Sequence, residues 1–421
     1  MGNKKILSIA FSDSRGGAAI AAKEQVAALR NIDGINISQV VVEKNLSDGD
    51  SKGPSKISYL IHFLLRILVF IILLFQRSKN SVKHSLNIFS SSFVLREIDS
   101  FKDGVIHFHW INNEVISISK IRKILMNNNL CVFTLHDEWF FCGAEHYSSL
   151  DSSRYITGYK KSNKDVSLID LDRFAYNLKL KLKPYLNNSN VIFTAPSTYL
   201  VNKARASSLL SNATIFHVPN IIDVNLFKRR DEISKEDLNI SQDSFVILFG
   251  AIGGVSYLKG GDLLFSALEK LSQYKIDKNV TLLTFGGESN KYKLFGFDVI
   301  GLGHIDDRIK LSSIYSLSDV TIVPSRLEAF GQVAAESLAC ETPVIAFRNT
   351  GIEDLIKHGS TGYLIESYDI NSMATHIKEF IGLPLSERRI MGRGGRVHII
   401  ENYSSDVVSR RWLEIYDKVK R

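Results

Sequence analysis

Cysteine and proline are both scarce in this chain. The three cysteines, Cys131, Cys142 and Cys340, form no CxxC pair and no even-numbered framework. Neither a disulfide scaffold nor a cysteine zinc site is expected, and a reducing, cytoplasmic location follows. Seven prolines in 421 residues exclude a long Pro-rich linker. No segment recurs with a solenoid period. Near the start, the only apolar run is Ile6 to Phe11, which is too short for the h-region of a secretory signal. Ile6 also stands where a myristoylation signal needs Ser or Thr.

Apolar residues make up 45% and charged residues 23%, ample for packed cores and far from collagen-like, coiled-coil or disordered compositions. At ~100–200 residues per domain the length suits two domains. Charge is divided unevenly. Residues 1–200 hold 25 basic and 17 acidic residues (25 − 17 = +8), whereas residues 201–421 hold 27 of each. The whole excess lies in the first half, which predicts an anionic partner there. No basic stretch is interleaved with aromatics in a nucleic-acid-binding module, so that partner is not expected to be nucleic acid.

Lys4 to Phe11 suits a buried parallel strand; a Gly16-Gly17 turn and an alanine-rich helical pattern through Leu29 follow. Strand, glycine turn and helix open a doubly wound α/β unit. Val40–Val42, Val105–Phe108, Cys131–Leu135 and Val191–Ala195 read as further strands. The grammar restarts with Phe245–Gly250, a glycine-rich loop and a helix from Asp262. Strands at Val280–Phe285, Val299–Ile300, Val320–Val323 and Pro343–Ala346 follow. The expected division is residues 1–218 and 219–404, with a closing helix over 405–421 packing back on the first domain.

Ile57 to Phe75 is almost wholly apolar. Its exceptions, Ser58, His62 and Arg66, are spaced i, i+4, i+8 along one helical face, and basic residues flank it. Arg66 near the middle would be costly in a spanning helix. A helix lying at an anionic membrane surface is the expected reading; a buried packing helix and a spanning helix are the alternatives.

The most informative segment is Pro324-Ser325-Arg326-Leu327-Glu328-Ala329-Phe330-Gly331-Gln332-Val333-Ala334-Ala335-Glu336. It leaves a strand at the sheet edge where open α/β folds bind ligands, and it runs into a helix. Free N–H groups at that helix start attract an oxyanion or a sugar hydroxyl. Glu336, about two turns on, can accept hydrogen bonds from a vicinal diol. Lys259 ends the glycine-rich loop, where an ammonium can neutralise a diphosphate. Gly260 follows it, so the Ser or Thr of a Walker A loop is missing. His136 and Asp137 follow the Cys131–Leu135 strand at the same kind of edge. His107 and His109 share a strand face and read equally well as structural. Asp48-Gly49-Asp50 and Asp170-Leu171-Asp172 read as surface rather than as metal sites.

The Glu328–Glu336 segment resembles the Glu-x7-Glu signature of the family-4 retaining glycosyltransferases. Gly16-Gly17, His136-Asp137-Glu138-Trp139, Ala195-Pro196-Ser197, Val218-Pro219-Asn220 and Lys259-Gly260 fall in that family's order. The resemblance implies a GT-B fold, an α/β architecture of two Rossmann-like domains facing a cleft. It gives Glu328, His136 and Lys259 catalytic roles. Glu336, Phe330, Gly331, Gly16, Gly17 and Gly254 fall to the donor, and Asp137 to the acceptor side. The family usually carries an arginine in the loop before the lysine; Gly253 to Leu258 has none, which removes one phosphate clamp from the expected set. The run His136 to Tyr147 is similar to bacterial O-antigen and exopolysaccharide members. The implied activity is retaining, metal-independent, cofactor-free hexosyl transfer from a UDP- or GDP-sugar to a lipid-linked saccharide. The expected place is the inner face of the bacterial plasma membrane. A nucleotide-sugar epimerase and a catalytically silent membrane-associated sugar-binding subunit are the alternatives.

Overall fold

Uncharged runs rich in Val, Ile, Leu and Phe need cover on both faces, which parallel sheets flanked by helices provide. The computed structural model describes residues 4–46, 49–76, 78, 80, 82–166, 168–250 and 257–420. It contains two sheets. The first comprises β1 (Lys4–Ser12), β2 (Ile35–Glu43), β3 (Ser51–Lys52), β4 (Val105–Phe108), β5 (Leu130–Thr134), β6 (Val191–Ala195) and β7 (Ile215–His217). Its order is 3-2-1-4-5-6-7 and every pairing is parallel. The second comprises β8 (Phe245–Gly250), β9 (Val280–Phe285), β10 (Lys291–Leu294), β11 (Phe297–Gly301), β12 (Val320–Val323), β13 (Val344–Phe347) and β14 (Gly362–Ile365). Its order is 10-11-9-8-12-13-14, parallel except for the edge hairpin β10–β11. In each sheet the strand order reverses beside the first strand, the switch point where such folds bind ligands.

The chain divides into two compact units, residues 1–221 with 408–421, and residues 222–407. In the first unit the helix Ser405–Lys418 returns to the sheet. Trp412, Ile415 and Tyr416 are buried with Ile6, Val132 and Ile192. The Tyr416 hydroxyl lies 2.8 Å from His107 Nδ1, and His107 Nε2 lies 2.7 Å from Thr134 Oγ1. The His107 and His109 rings lie 4.1 Å apart between centroids, tilted by 33°, both buried.

Helix α1 (Gly17–Arg30) packs on β1 and β2. Helix α2 (Lys56–Leu73) starts at Ser55, whose hydroxyl accepts from the Ser58 N–H. Its polar face turns inward. His62 is buried and its Nε2 donates to the Glu114 carbonyl at 3.1 Å; Arg66 lies over the Phe11 ring at 4.8 Å. Ser58 Oγ reaches Ser92 Oγ at 3.4 Å. The apolar side faces outward, with Leu60, Leu64 and Phe70 exposed at 56%, 56% and 63%. The buried packing helix is therefore excluded. By length and composition α2 is apolar enough to cross a membrane.

One surface reading is corrected. Asp172 is buried, and Arg154 holds Asp170 at 2.6 Å and lies 3.9 Å from Asp172. An Asp-Leu-Asp triplet does not reveal that a guanidinium 16 residues before Asp170 compensates its burial.

Candidate active-site residues in the two units

In the second unit, Val323 ends β12 and the chain turns through Pro324–Gly331 into the helix Gln332–Ala339. Gly331 caps that helix at φ +99°, and a Cβ there would stand 2.5 Å from Ile352 Cγ1. Only glycine meets both conditions. The N–H groups of Ala329, Phe330 and Gly331 donate to no group among the described residues. They lie at the start of a helix, whose dipole favours an oxygen of partial or full negative charge. The Phe330 ring is buried beside Tyr403, so only its backbone is available to a ligand.

Lys259 and Glu328, 69 residues apart, meet in a salt bridge, Nζ to Oε1 at 2.5 Å. Ser325 Oγ donates to the same oxygen at 3.1 Å. Both side chains remain partly accessible, the lysine at 35% and the glutamate at 15%. Gly260, at φ +67°, brings the loops together; a Cβ there would stand 1.9 Å from the Pro324 carbonyl oxygen. Arg326 fixes the arrangement from below. It donates to both Asp262 oxygens at 2.7 and 2.6 Å and to the Tyr257 carbonyl at 2.7 Å, with its guanidinium 4.0 Å over the Tyr257 ring. These bonds first, then its charge, hold the Asp262 carboxyl below its ordinary pKa. Arg326 is thus committed to Asp262 and does not replace the missing loop arginine. Glu336 is nearly buried, with Tyr315 O–H donating at 3.1 Å and Gln332 Nε2 at 2.9 Å. Gly254 and its loop, residues 251–256, lie outside the described residues.

In the first unit, Gly16 caps α1 and Gly17 opens it; a Cβ at either would meet nothing within 4 Å. His136 follows β5 and its Nε2 lies 3.0 Å from His109 Nδ1. Burial lowers the His136 pKa to about 4, against a smaller upward pull from Asp137, so the ring is neutral at pH 7. Asp137 does not bond to His136. Trp110 Nε1 donates to it at 2.7 Å, His146 Nδ1 at 2.6 Å and the Trp139 N–H at 3.0 Å. Burial raises the Asp137 pKa, but His146 and these donors outweigh it, and the carboxylate stays ionised. His109, Trp110, His136 and Asp137 line one small cavity. Sequence reasoning passed over Trp110, His146, Ser325, Arg326 and Tyr315. The partners of Tyr315, Trp110 and Arg326 lie 21, 27 and 64 residues away, whereas those of Ser325 and His146 lie three and nine residues away.

Residues 230–398 match the family model described as glycosyl transferases group 1. The full chain superposes on solved structures of low identity. Sucrose-phosphate synthase from Thermosynechococcus elongatus gives a TM-score of 0.65 at 18% identity, covering 99% of each chain. Anabaena HepE in complex with UDP-glucose gives 0.63 at 16%, covering 98% of this chain and 99% of that one. The fold is GT-B. Among relatives by sequence, the D-inositol 3-phosphate glycosyltransferase of Thermomonospora curvata is 28% identical over 221 residues, 47% of this GT-B chain and 50% of the relative. The N-acetyl-alpha-D-glucosaminyl L-malate synthase of Bacillus anthracis is 26% identical over 265 residues, 61% and 66% of the two. The chain thus spans about half to two thirds of these curated relatives.

Proposed function

We propose that the chain is a retaining glycosyltransferase that moves a hexosyl group from a nucleotide-sugar to a lipid-linked saccharide. The observation that carries this reading is the salt bridge of Lys259 with Glu328 beside the three undirected N–H groups of Ala329, Phe330 and Gly331. It lies within the segment that matches the group 1 transferases. When the donor arrives, its diphosphate competes with Glu328 for the Lys259 ammonium. Glu328 and the backbone N–H groups turn to the sugar hydroxyls, and Glu336 accepts from the ribose. The acceptor oxygen bonds to the anomeric carbon on the face from which the diphosphate departs. The bond from that carbon to the phosphate oxygen breaks, and a leaving phosphate oxygen takes the acceptor proton. Lys259 stabilises the charge that develops there, and positioning supplies much of the rate. No step draws on a metal.

The outward apolar face of α2 supports peripheral attachment to the inner face of the bacterial plasma membrane, where lipid-linked acceptors of O-antigen or exopolysaccharide synthesis reside. A donor panel tests the reading. UDP- and GDP-sugars are incubated with the chain and a membrane extract, with and without EDTA. One free nucleotide is expected, unaffected by EDTA and reduced at least ~100-fold in Glu328→Ala. Donor binding without nucleotide release under any condition would favour a silent subunit, and no donor binding would sink the reading.

A further inference from the structure

Behind α2, within the first unit, lies a second cavity of about 590 Å³, inside the ~300–1,000 Å³ range of small-molecule sites. Phe63, Ile67, Phe70 and Leu73 of α2, with Leu74 just after it, form an apolar wall, and Arg66 and Lys83 lie on the same lining. Each cation rests on an aromatic ring, Arg66 on Phe11 at 4.8 Å and Lys83 on Trp110 at 4.4 Å. Neither is ion-paired or hydrogen-bonded to a carboxylate among the described residues. The acidic residue on the lining is Glu114. Its carboxylate is turned to the Asn87 and Phe89 N–H groups at 2.8 and 2.6 Å, and burial raises its pKa to about 7. Burial first, then the Arg66 charge, lowers the Lys83 pKa to about 8, with the Asp137 and Glu43 carboxylates opposing in part. Two cations on the lining of one concave site, each resting on an aromatic ring rather than bonded to a carboxylate, suit an anion. An apolar wall that runs on into the exposed face of α2 calls for a hydrocarbon chain. Residues 51–100 concentrate the charge: Lys52, Lys56, Arg66, Arg77, Lys79, Lys83 and Arg96 stand against Glu97 and Asp99.

We propose that this cavity binds the diphosphate end of a prenyl-type lipid, with Arg66 and Lys83 on the phosphates and the chain along α2. The site leads toward the candidate residues after β5, because Trp110, under Lys83, also donates to Asp137 at 2.7 Å. A saccharide attached to the diphosphate would extend that way. As the seat of an acceptor lipid, the assignment rests on the transferase reading; as a binding site, it stands on the cavity.

Calorimetric titration of the full chain with farnesyl diphosphate tests it, beside inorganic diphosphate, farnesol and dihexanoyl-phosphatidylglycerol. Farnesyl diphosphate is expected to bind at least tenfold more tightly than each of the others. The Arg66→Gln/Lys83→Gln double variant is expected to weaken it at least tenfold, and Arg66→Lys to retain most of the affinity. The thermal transition of each variant reads whether it folds. Equal binding of inorganic diphosphate, of farnesol or of the phosphatidylglycerol would overturn the assignment, as would no binding at all or undiminished binding by the folded double variant. Nucleotide-sugar binding by the unaltered chain, measured alongside, reads the transferase assignment separately.

Discussion

Gly260 shows how one hydrogen atom in place of a methyl group holds two loops together. With a Cβ at 1.9 Å from a backbone oxygen, at φ +67°, alanine has neither room nor an easy conformation. Gly260→Ala is expected to cost more than ~1 kcal/mol of stability in urea unfolding and to weaken donor binding, because Lys259 would shift with the loop. His62 carries a pH signature. Burial lowers its folded pKa to about 4, the hydrogen bond to Glu114 opposing in part, while an unfolded histidine titrates near ~6.5. Between those values the unfolded chain binds the extra proton, so stability rises with pH across that window and is lost as pH falls. One such group contributes up to ~1.4 kcal/mol per pH unit. In His62→Gln, whose amide can still donate to the Glu114 carbonyl, urea midpoints between pH 4.5 and 6 should show a slope shallower by about one proton.

Helix α2 is amphipathic in reverse, and its partners decide that. His62 needs the Glu114 carbonyl and Arg66 rests on Phe11, so the polar face is the docked one. Leu64 and Leu68 point away from both the body and the cavity. Leu64→Glu with Leu68→Glu should leave the melting temperature within about 2 °C while abolishing sedimentation with phosphatidylglycerol vesicles. Unchanged sedimentation would end the membrane-surface reading of α2. The sequence announced the helix and its polar stripe through apolar content and i, i+4, i+8 spacing. Which side faces in depends on Glu114 and Phe11, 52 and 55 residues from His62 and Arg66, and no local pattern carries that. Strands β8, β9 and β12 were legible for the opposite reason: each is a buried run whose composition alone demands cover. Strand β3 has two residues, and β10 is an exposed hairpin arm with two lysines, so neither leaves an apolar run to read. The candidate site divides the same way. Glu328 and Glu336 stood out by spacing within one segment, whereas the contact of Glu328 with Lys259 and the grip of Arg326 on Asp262 join positions more than sixty residues apart.

At the scale of the whole molecule, the closing helix belongs to the first unit. Trp412 is 3% exposed and lies with Tyr416 against His107. Trp412→Ala is expected to cost ~3–5 kcal/mol, read by calorimetry as an earlier transition of the first unit. A transition of unchanged midpoint would show that the helix adds no stability there. Residues 222–407 are contiguous and hold all seven strands of their own sheet. Residues 1–221 lack the side chains of Val408, Trp412, Ile415 and Tyr416 until those residues are made. On the ribosome, the half made first is therefore the half finished last. Throughout synthesis an incomplete core coexists with the bare leucines of α2, so a nascent chain stalled before residue 408 presents two sticky surfaces and is a natural client for chaperones.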